Sequence, residues 1–521
     1  MTVRTRTAFA LTVLFAINAM NFFDRQILGA VGEPIRKEWG LSDGAMGALG
    51  TAFTLLYAAV GIPLGRLTDR TTRTRILSAG VFVWSLLTVG SGLARNYWQL
   101  FALRLGVGVG EASCAPASTS LIGDLFPATK RARALSVFMM GLPLGIALSF
   151  AVSSLIAQTH GWRPAFYVAG IPGLMCTIAA LFIFEPKRGG TEVHNIGGRR
   201  REHAANPALQ ALVYFLLGVV LVFSVYELFA LAGPRLLNLD VGRPVSGIIS
   251  LLAGVVYLMY RRRILEWLSP FLLVLSIPTM WWLIASGALH NFNMYAIGSF
   301  LSPFIMRFHA VTITKAGMIS MVVYGLAGVP GLLAGGILGD AMMKRKQNGR
   351  LLVGALFLMA SVPMTFLALG IGKGNLTPFM VLMGVGVGCT YAYYSTVYSS
   401  IQDIIEPASR GTAMALYFFA MYVMGASLGP VGMGLASDYF TADAARAAGV
   451  IDLTREALEP FRGEGLRFAL YIIPVLGALL TLVLFAASRT VIKDMEKLQR
   501  WMRESSKEAP TVDASAIAAS K

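Results

Sequence analysis

The chain has 521 residues, of which 56% are hydrophobic and only 14% are charged. Soluble domains average about 25% charged residues, so this composition excludes an ordinary soluble protein and indicates a chain that crosses a membrane many times. The 44 lysines and arginines exceed the 27 acidic residues by 17, but they cluster in short connections between apolar runs, and every second connection is basic. This is the positive-inside pattern of membrane topology, so the excess charge does not indicate nucleic-acid binding.

Apolar runs long enough to cross about 30 Å of hydrocarbon predict fourteen transmembrane helices. These spans lie near residues 8–30, 44–65, 76–94, 97–122, 133–157, 164–184, 208–232, 246–260, 278–303, 313–339, 351–371, 376–402, 411–437 and 466–488. The first run is too long for the apolar core of a signal peptide, so we interpret it as a span. An even number of spans puts both termini on the basic, cytoplasmic side, and we expect a multi-pass protein of a bacterial inner membrane.

Two sequence repeats indicate that six spans were duplicated. The pattern Tyr-x-x-x-Gly-[Ile/Val]-Pro at 57–63 recurs at 324–330, and each copy leads to a Gly-x-x-x-Asp motif. The segment 124–134 recurs at 403–413, with an aspartate seven residues before an arginine in both. The repeats predict an all-α polytopic membrane protein with two six-helix bundles and two inserted helices, a plan that places a transporter's binding site between the halves. The predicted units are a first bundle at 1–185, a cytoplasmic linker at 186–206, an inserted helix pair at 207–263, a second bundle at 264–488 and a cytoplasmic amphipathic and disordered tail at 489–521.

Three motifs of the first half resemble those of the major facilitator superfamily. They are Gly-x-x-x-Asp-Arg-x-x-Arg at 65–73, Arg-x-x-x-Gly-x-Gly-x-Ala at 104–112 and Gly-Trp-Arg-Pro-Ala-Phe at 161–166. Within the superfamily, Asn-x-x-Asp-Arg at 21–25 and Gly-Val-Gly-Glu-Ala-Ser at 108–113 most resemble the spinster family of lipid and sphingolipid transporters. The anion:cation symporters of organic and sugar acids share the Asp-Arg and Glu-Ala pairs but match less well elsewhere. The inserted helix pair departs from the twelve-span spinster plan.

Four charged residues lie inside predicted spans 1 and 4: Asp24, Arg25, Arg104 and Glu111. An unpaired charge in hydrocarbon costs at least ~2.5–3.5 kcal/mol, so these residues are candidates for function. At a rise of about 1.5 Å per residue, Arg104 lies at a depth comparable to that of Asp24 and Arg25, and Glu111 lies about 10 Å deeper. Two carboxylates and two guanidiniums can neutralise one another, and movement of the arginines would let a carboxylate bind and release a proton.

These residues leave two interpretations open. In one, Glu111 or Asp24 is the protonation site of a transporter and Arg25 and Arg104 are its partners. The resemblance to the spinster and anion:cation symporter families implies this role for the first-span Asp and the fourth-span Glu. In the other, the four charges form a structural salt-bridge network that holds spans 1 and 4 together. We expect no cofactor and no metal, with a proton as the coupling ion.

Polar and aromatic residues inside other spans are candidates for substrate binding. Asn18 and Asn21 share a stripe of span 1 with Arg25, which indicates a polar edge that faces protein or a wet cavity. Aromatic groups with polar tips suit an amphipathic substrate, and they also suit ordinary helix packing. His290 could titrate near pH ~6.5 or be a hydrogen-bonded packing histidine. The candidates in the second half are His290, Asn291, Tyr391 and Tyr394.

The superfamily resemblance also implies a cytoplasmic gate, formed by charge contacts that hold the cytoplasmic side closed in the outward-open state. Positive charge that determines topology accounts for the arginines of this set but not for the repeated aspartates. The implied gate residues are Asp69, Arg70, Arg73, Asp124, Arg131, Asp340 and Asp403.

The sequence favours a carrier over an enzyme or a channel. It contains no His-Glu-x-x-His, no Gly-x-Ser-x-Gly and no cluster of metal ligands. The glycines of Gly-Val-Gly-Val-Gly at 106–110 lie mid-span and indicate close helix packing, not dinucleotide binding. We expect a monomeric, proton-coupled transporter of an amphipathic lipid-like molecule such as a lysophospholipid or sphingoid. The alternatives are proton symport of a small organic or sugar acid and export of a hydrophobic drug.

Overall fold

The structure is a computed structural model that describes residues 3–186, 271–406 and 409–507. Within these ranges the chain consists of helices joined by short connections, without strands, as the sequence predicts. Ten helical segments of this part are long and apolar enough to cross a membrane. The predicted inserted pair at 207–263 lies outside the described residues.

Eight helices form the six predicted spans of the first half. They are α1 (Val3–Trp39), α2 (Asp43–Arg70), α3 (Arg73–Ser91), α4 (Tyr97–Glu111), α5 (Cys114–Leu125), α6 (Ala128–Met139), α7 (Gly141–His160) and α8 (Arg163–Leu181). Span 1 is predicted to end near residue 30, but α1 continues to Trp39. The chain then reverses at Gly40, whose φ of 57° is a conformation that residues with a side chain rarely adopt. Ser42 caps the next helix by accepting a hydrogen bond from the Ala45 N–H at 3.1 Å.

The second half contains ten helices. They are α9 (Pro278–Phe308), α10 (Ile313–Ser320), α11 (Gly328–Met343), α12 (Gly349–Gly370), α13 (Leu376–Ile404), α14 (Arg410–Met421), α15 (Leu428–Ala447), α16 (Arg455–Leu458), α17 (Arg462–Leu470) and α18 (Ile472–Lys507). The last helix continues without a break past the predicted end of the bundle at residue 488. Most of the described residues belong to one compact unit, and the described residues 271–281, 405–406 and 409–416 belong to a second. The site lies in the first of these units.

Five of the described spans are interrupted, and each interruption lies three or four residues before a proline. These prolines are Pro116 in α5, Pro143 in α7, Pro330 in α11, Pro430 in α15 and Pro474 in α18, where Tyr471 separates α17 from α18. A proline has no N–H for the carbonyl four residues earlier, and its ring clashes with that carbonyl. In the first half the helix breaks, between α4 and α5 and between α6 and α7. In the second half it widens into π-helical turns at Met321–Leu326 and Tyr422–Ala426, before Pro330 and Pro430.

The two faces of the bundle are named here by the chain ends. The terminal face is the one at which α1 begins, and the far face is the one at which α1 turns into α2. Near the far face the halves approach so closely that a Cβ on any of four glycines would overlap the opposite half. These glycines are Gly29, Gly47, Gly317 and Gly434, which pack against Gly298, Pro430, Ser154 and Asp43 respectively. Small residues permit the close helix contacts that stabilise packing inside membranes.

Candidate functional site

The charged residues of α1 and α4 form two buried ion pairs. Arg104 Nη1 lies 2.9 Å from Asp24 Oδ1, and Arg25 Nε lies 2.8 Å from Glu111 Oε2. None of the four side chains is more than 3% exposed. The Thr88 hydroxyl of α3 donates to Asp24 Oδ2 at 2.6 Å. We call Asp24, Arg25, Arg104 and Glu111 the central charge cluster.

The glycines of α4 bring this helix close enough to its neighbours for the cluster to form. A Cβ on Gly110 would lie 2.8 Å from the Gly80 carbonyl oxygen of α3, and one on Gly108 would overlap the Phe53 carbonyl of α2. Helix α4 therefore lies deep between α2 and α3. This packing agrees with the interpretation of the glycine-rich segment as a helix contact.

Arg25 also contacts the second half. Its Nη1 donates to the hydroxyl of Tyr422 at 3.0 Å and to that of Tyr295 at 3.5 Å. Its guanidinium carbon lies 4.3 Å from the ring centroid of Tyr57, a distance at which a cation is attracted to the ring face. Glu111 Oε1 has no hydrogen-bond partner among the described residues. One guanidinium thus connects a carboxylate of the first half to two tyrosines of the second.

Four half-buried tyrosines of the second half lie near one another, and we call them the tyrosine wall. They are Tyr295, Tyr394, Tyr398 and Tyr422. Tyr394 and Tyr398 have ring centroids 5.6 Å apart, and Tyr295 and Tyr422 have centroids 6.1 Å apart. The Tyr398 hydroxyl lies 3.9 Å from the sulfur of Met421, the neighbour of Tyr422. Beside Arg25, such rings offer apolar area and hydroxyl groups together.

The other predicted binding residues of the second half lie inside that half. His290 stacks on Tyr393, with centroids 4.0 Å apart, and meets the edge of Tyr394. It lines a cavity of about 20 Å³ together with residues of α12 and α18. Asn291 is buried, and the Tyr391 hydroxyl donates to the Tyr324 carbonyl at 2.8 Å.

The two asparagines predicted to line the site differ in their contacts. Asn18 Nδ2 donates to the Phe138 carbonyl of α6 at 2.8 Å, so this side chain joins two helices of the first half. Asn21 is buried, and its Nδ2 has no hydrogen-bond partner within the described part of the chain. Substrate contact by either asparagine stays a prediction.

A second group of charges joins the halves at the far face, and we call it the far-face ion cluster. Its members are Glu33, Arg36, Asp43, Arg307, Asp438, Glu459 and Arg462. Arg307 of α9 binds two carboxylates of the first half, Glu33 at 2.5 Å and Asp43 at 2.7 Å. The second half also supplies a carboxylate to the first: Asp438 of α15 accepts hydrogen bonds from the Asp43 and Gly44 N–H groups at 3.0 and 2.8 Å. An anion is stabilised at a helix N-terminus, so Asp438 caps α2 from the other half.

At the terminal face, Arg73 holds together three elements of the first half. Its side chain binds Asp124 of α5 and the Glu185 carboxylate, the latter at 2.7 Å. Partial burial would raise the pKa of Glu185, but the Thr74 N–H and the Arg73 guanidinium outweigh burial and hold the pKa below its usual value. The side chains of the predicted gate residues Asp69, Arg70 and Arg131 lie outside the described residues.

The second half has a matching ion triad. Arg350, near the start of α12, binds Asp340 of α11 at 2.8 Å and also Asp403 of α13. Arg73 stands at the start of α3 and is the first-half equivalent. Asp124 and its repeat Asp403 therefore each pair with an equivalent arginine, and each triad lies within its own half of the molecule.

A sequence model of the Major Facilitator Superfamily matches residues 14–430, which is most of the chain. The chain belongs to the major facilitator superfamily. The superfamily and the all-helical membrane fold predicted from the sequence are confirmed, and the protein is a multi-pass membrane transporter of this superfamily.

Several known superfamily members are similar to the chain over most of its length. An "MFS-type efflux pump" of Mycolicibacterium smegmatis is 25% identical over 435 residues, which is 83% of this chain and 85% of that protein. "Protein spinster homolog 1" of Mus musculus is 26% identical over 439 residues, 84% of this chain and 74% of that protein. The crystal structure of a bacterial homologue of the human lysosomal transporter spinster, inward-facing and unoccupied, has a TM-score of 0.70 at 24% identity, covering 94% of this chain and 98% of that one. The predicted resemblance to the spinster family is confirmed.

The two terminal-face triads of this superfamily member should differ in their contribution to stability. Arg73 is 1% exposed, so Arg73→Met removes a buried cation from the half-buried Asp124 and Glu185 carboxylates and should cost about 3 kcal/mol, the low end for a broken buried pair. Arg350 is 23% exposed and Asp340 is 65% exposed, so Arg350→Met should cost about 1 kcal/mol. Thermal unfolding of the purified protein in detergent measures both. Equal losses in the two variants would contradict the difference in burial.

Proposed function

We propose that this transporter is a proton-coupled secondary carrier that works by alternating access. In this proposal the terminal face is cytoplasmic, the far face is the outer face, and the described arrangement is the inward-open state. Support comes from where the halves touch: the hydrogen bonds and ion pairs between them, among the described residues, lie between the central charge cluster and the far face. The terminal-face triads each stay within one half.

The observation that carries the proposal is the position of Arg25. It is paired with Glu111 on its own half and donates to Tyr422 on the other half. A proton on Glu111 removes the charge that holds Arg25 and leaves the guanidinium free to change partners. A carrier needs such a group, because protonation must alter the contacts between its halves for proton movement to drive transport.

The substrate in this proposal is an amphipathic lipid-like molecule, such as a lysophospholipid or a sphingoid. The tyrosine wall supplies apolar area and hydroxyl groups, and Arg25 supplies a positive charge at its edge. The same guanidinium would bind the carboxylate of a sugar acid, which is the second candidate. The similarity to an efflux pump supports export of a hydrophobic drug as the third.

Uptake by the purified protein in liposomes tests both coupling and substrate. Vesicles with a pH dye inside receive fluorescent lysophosphatidylcholine, sphingosine, gluconate or ethidium, with and without an imposed proton gradient. We expect gradient-dependent uptake of a lipid-like compound, and Glu111→Gln should lower it at least about tenfold, equivalent to ~1.4 kcal/mol. Glu38→Gln is the matched control, because Glu38 belongs to the same half but is 40% exposed in a surface ion pair.

Two results would reject the proposal. In the first, uptake does not depend on the proton gradient and is unchanged in both Glu111→Gln and Asp24→Asn, which would mean that the central charge cluster has only a structural role. Uptake confined to gluconate would replace the lipid-like substrate by a sugar acid.

A further inference from the structure

We infer that Tyr422 is a positioning residue that transmits the state of the central charge cluster to the far-face ion cluster. The inference rests on the proposed function, because it concerns how protonation of the cluster reaches the contact between the halves. It assigns a role to one hydroxyl group and to the π-helical turn that places it.

The π-helical turn aligns Tyr422 with the α15 residues that contact α2. The Ser427 N–H donates to the Tyr422 carbonyl at 2.9 Å, five residues back, so this turn contains one more residue than a turn of α-helix. From there Pro430, Gly434 and Asp438 follow at intervals of four, close to one helical turn each. Without the extra residue, Tyr422 would be rotated by about 100° relative to that stripe.

These α15 residues form one continuous seam with α2. At its inner end the rings of Tyr57 and Tyr422 have centroids 4.8 Å apart. Next, the Thr51 hydroxyl donates to the Ser427 carbonyl. The remaining contacts of the seam, in order toward the far face, pair Gly47 with Pro430, Asp43 with Gly434, and Gly44 with Asp438. In this inference, a shift at Tyr422 reaches the capping carboxylate of α2 through these successive contacts between the π-helical turn, α15 and α2.

At the inner end of the seam, Arg25 bonds Tyr422 and Glu111 at the same time. Its Nη1–Oη distance to Tyr422 is 3.0 Å, against 3.5 Å to Tyr295, so Tyr422 is the nearer acceptor on the second half. The charged and titratable groups around Glu111 are Asp24 and Arg25 of α1, Arg104 of α4, Cys114 of α5 and Tyr57 of α2, with Tyr295 and Tyr422 across the halves. In this inference, ionised Glu111 stabilises the closed far face because it holds Arg25 in position to donate to Tyr422. Protonation of Glu111 weakens the Arg25–Glu111 ion pair, so Arg25 can leave Tyr422.

A cysteine at position 299 reports opening of the far face. Ser299 lines a cavity of about 20 Å³ between α1, α2 and α9, together with Arg307 and Asp43. This volume admits a water molecule but not a maleimide, so faster labelling at this position reports opening of the far face. The reporter is Ser299→Cys in a chain whose native cysteines, Cys114, Cys176 and Cys389, are replaced by alanine. The full chain in liposomes is labelled with a membrane-impermeant maleimide in mildly acidic and mildly alkaline buffer.

The parent reporter should label several-fold faster in acid, and Glu111→Gln should label fast in both buffers. Tyr422→Phe removes one oxygen atom and keeps the ring, and its labelling rate should become independent of pH. Tyr422→His keeps a ring nitrogen that can accept a hydrogen bond from Arg25, so its labelling rate should retain part of the pH dependence. This variant therefore distinguishes loss of the hydrogen-bond acceptor from loss of the fold. Tyr439→Phe is the matched control, since Tyr439 is a 64% exposed tyrosine of α15 outside the tyrosine wall, and its loss should leave the parent response intact.

The outcomes separate this inference from the proposed function. A response in Tyr422→Phe equal to that in Tyr439→Phe would refute the role of Tyr422 and leave proton coupling standing. A pH-independent parent reporter, or one that Glu111→Gln does not alter, would reject proton coupling at Glu111 and the inference with it.

Discussion

Replacing Arg104 by methionine should destabilise the protein more than replacing both members of the Asp24–Arg104 pair. In Arg104→Met the Asp24 carboxylate stays buried and, among the described residues, keeps only the Thr88 hydroxyl as a side-chain donor. Removing one partner of a buried ion pair costs about 3–5 kcal/mol, whereas removing both removes the desolvation penalty as well. The single variant should therefore lose roughly 3–5 °C of thermal stability in detergent. The double variant Asp24→Asn/Arg104→Met should recover most of that loss.

A surface ion pair of the same half provides the control. Arg163 Nη2 lies 2.8 Å from Glu38 Oε1, but both side chains are more than a third exposed. Such pairs contribute about 0–1 kcal/mol, so Arg163→Met should shift the unfolding temperature little. If Arg104→Met were no more harmful than Arg163→Met, the central charge cluster would be well hydrated, contrary to its burial.

The central charge cluster was predictable because a charge is conspicuous in an apolar run. Asp24 and Glu111 stand out in the sequence, and helix geometry alone gives their approximate depth. The tyrosines around Arg25 carried no such signal, since aromatic residues occur throughout membrane helices. Tyr295 and Tyr422 reach Arg25 through the docking of two halves that are distant in sequence.

The far-face ion cluster was not predicted, because the spans assigned from hydropathy are shorter at the far face than the helices of the structure. Glu33, Asp43 and Arg307 fall outside the predicted spans and would ordinarily be solvated loop residues, yet they are at most 8% exposed. Their burial depends on contact between the halves. A lone arginine at the end of the long α9 was the available signal.

Proline positions indicate the helix interruptions only in part. Helix interruptions precede Pro116, Pro143, Pro330, Pro430 and Pro474, but other prolines lie inside uninterrupted helices. These others are Pro34, Pro172, Pro303 and Pro363. Neighbouring helices can satisfy a carbonyl that a proline frees, and that depends on tertiary packing.

Arg307→Met should open the far face. Arg307 is the residue of the second half that binds both Glu33 and Asp43 of the first, and its loss leaves two buried carboxylates short of a partner. Glu33 keeps Arg36 and Asp43 keeps the Ser437 hydroxyl, so the cost is at the low end for a broken buried pair, about 3 kcal/mol. Once the far face opens, water hydrates both carboxylates. The loss of Arg307 therefore destabilises the closed state and not the open state. The equilibrium should shift roughly a hundredfold toward the open far face.

Labelling of the Ser299→Cys reporter measures this shift as a faster reaction, and Arg467→Met is the matched control. Arg467 is a far-face arginine of α17 whose contacts stay within the second half, with Glu464 at 3.5 Å and the Leu369 carbonyl at 2.8 Å. Its loss should leave the labelling rate unchanged, because no contact between the halves depends on it. If both variants were labelled equally fast, the effect would be a general loosening of the second half. If neither differed from the parent, the glycine contacts and the α2 cap by Asp438 would suffice to keep the face closed.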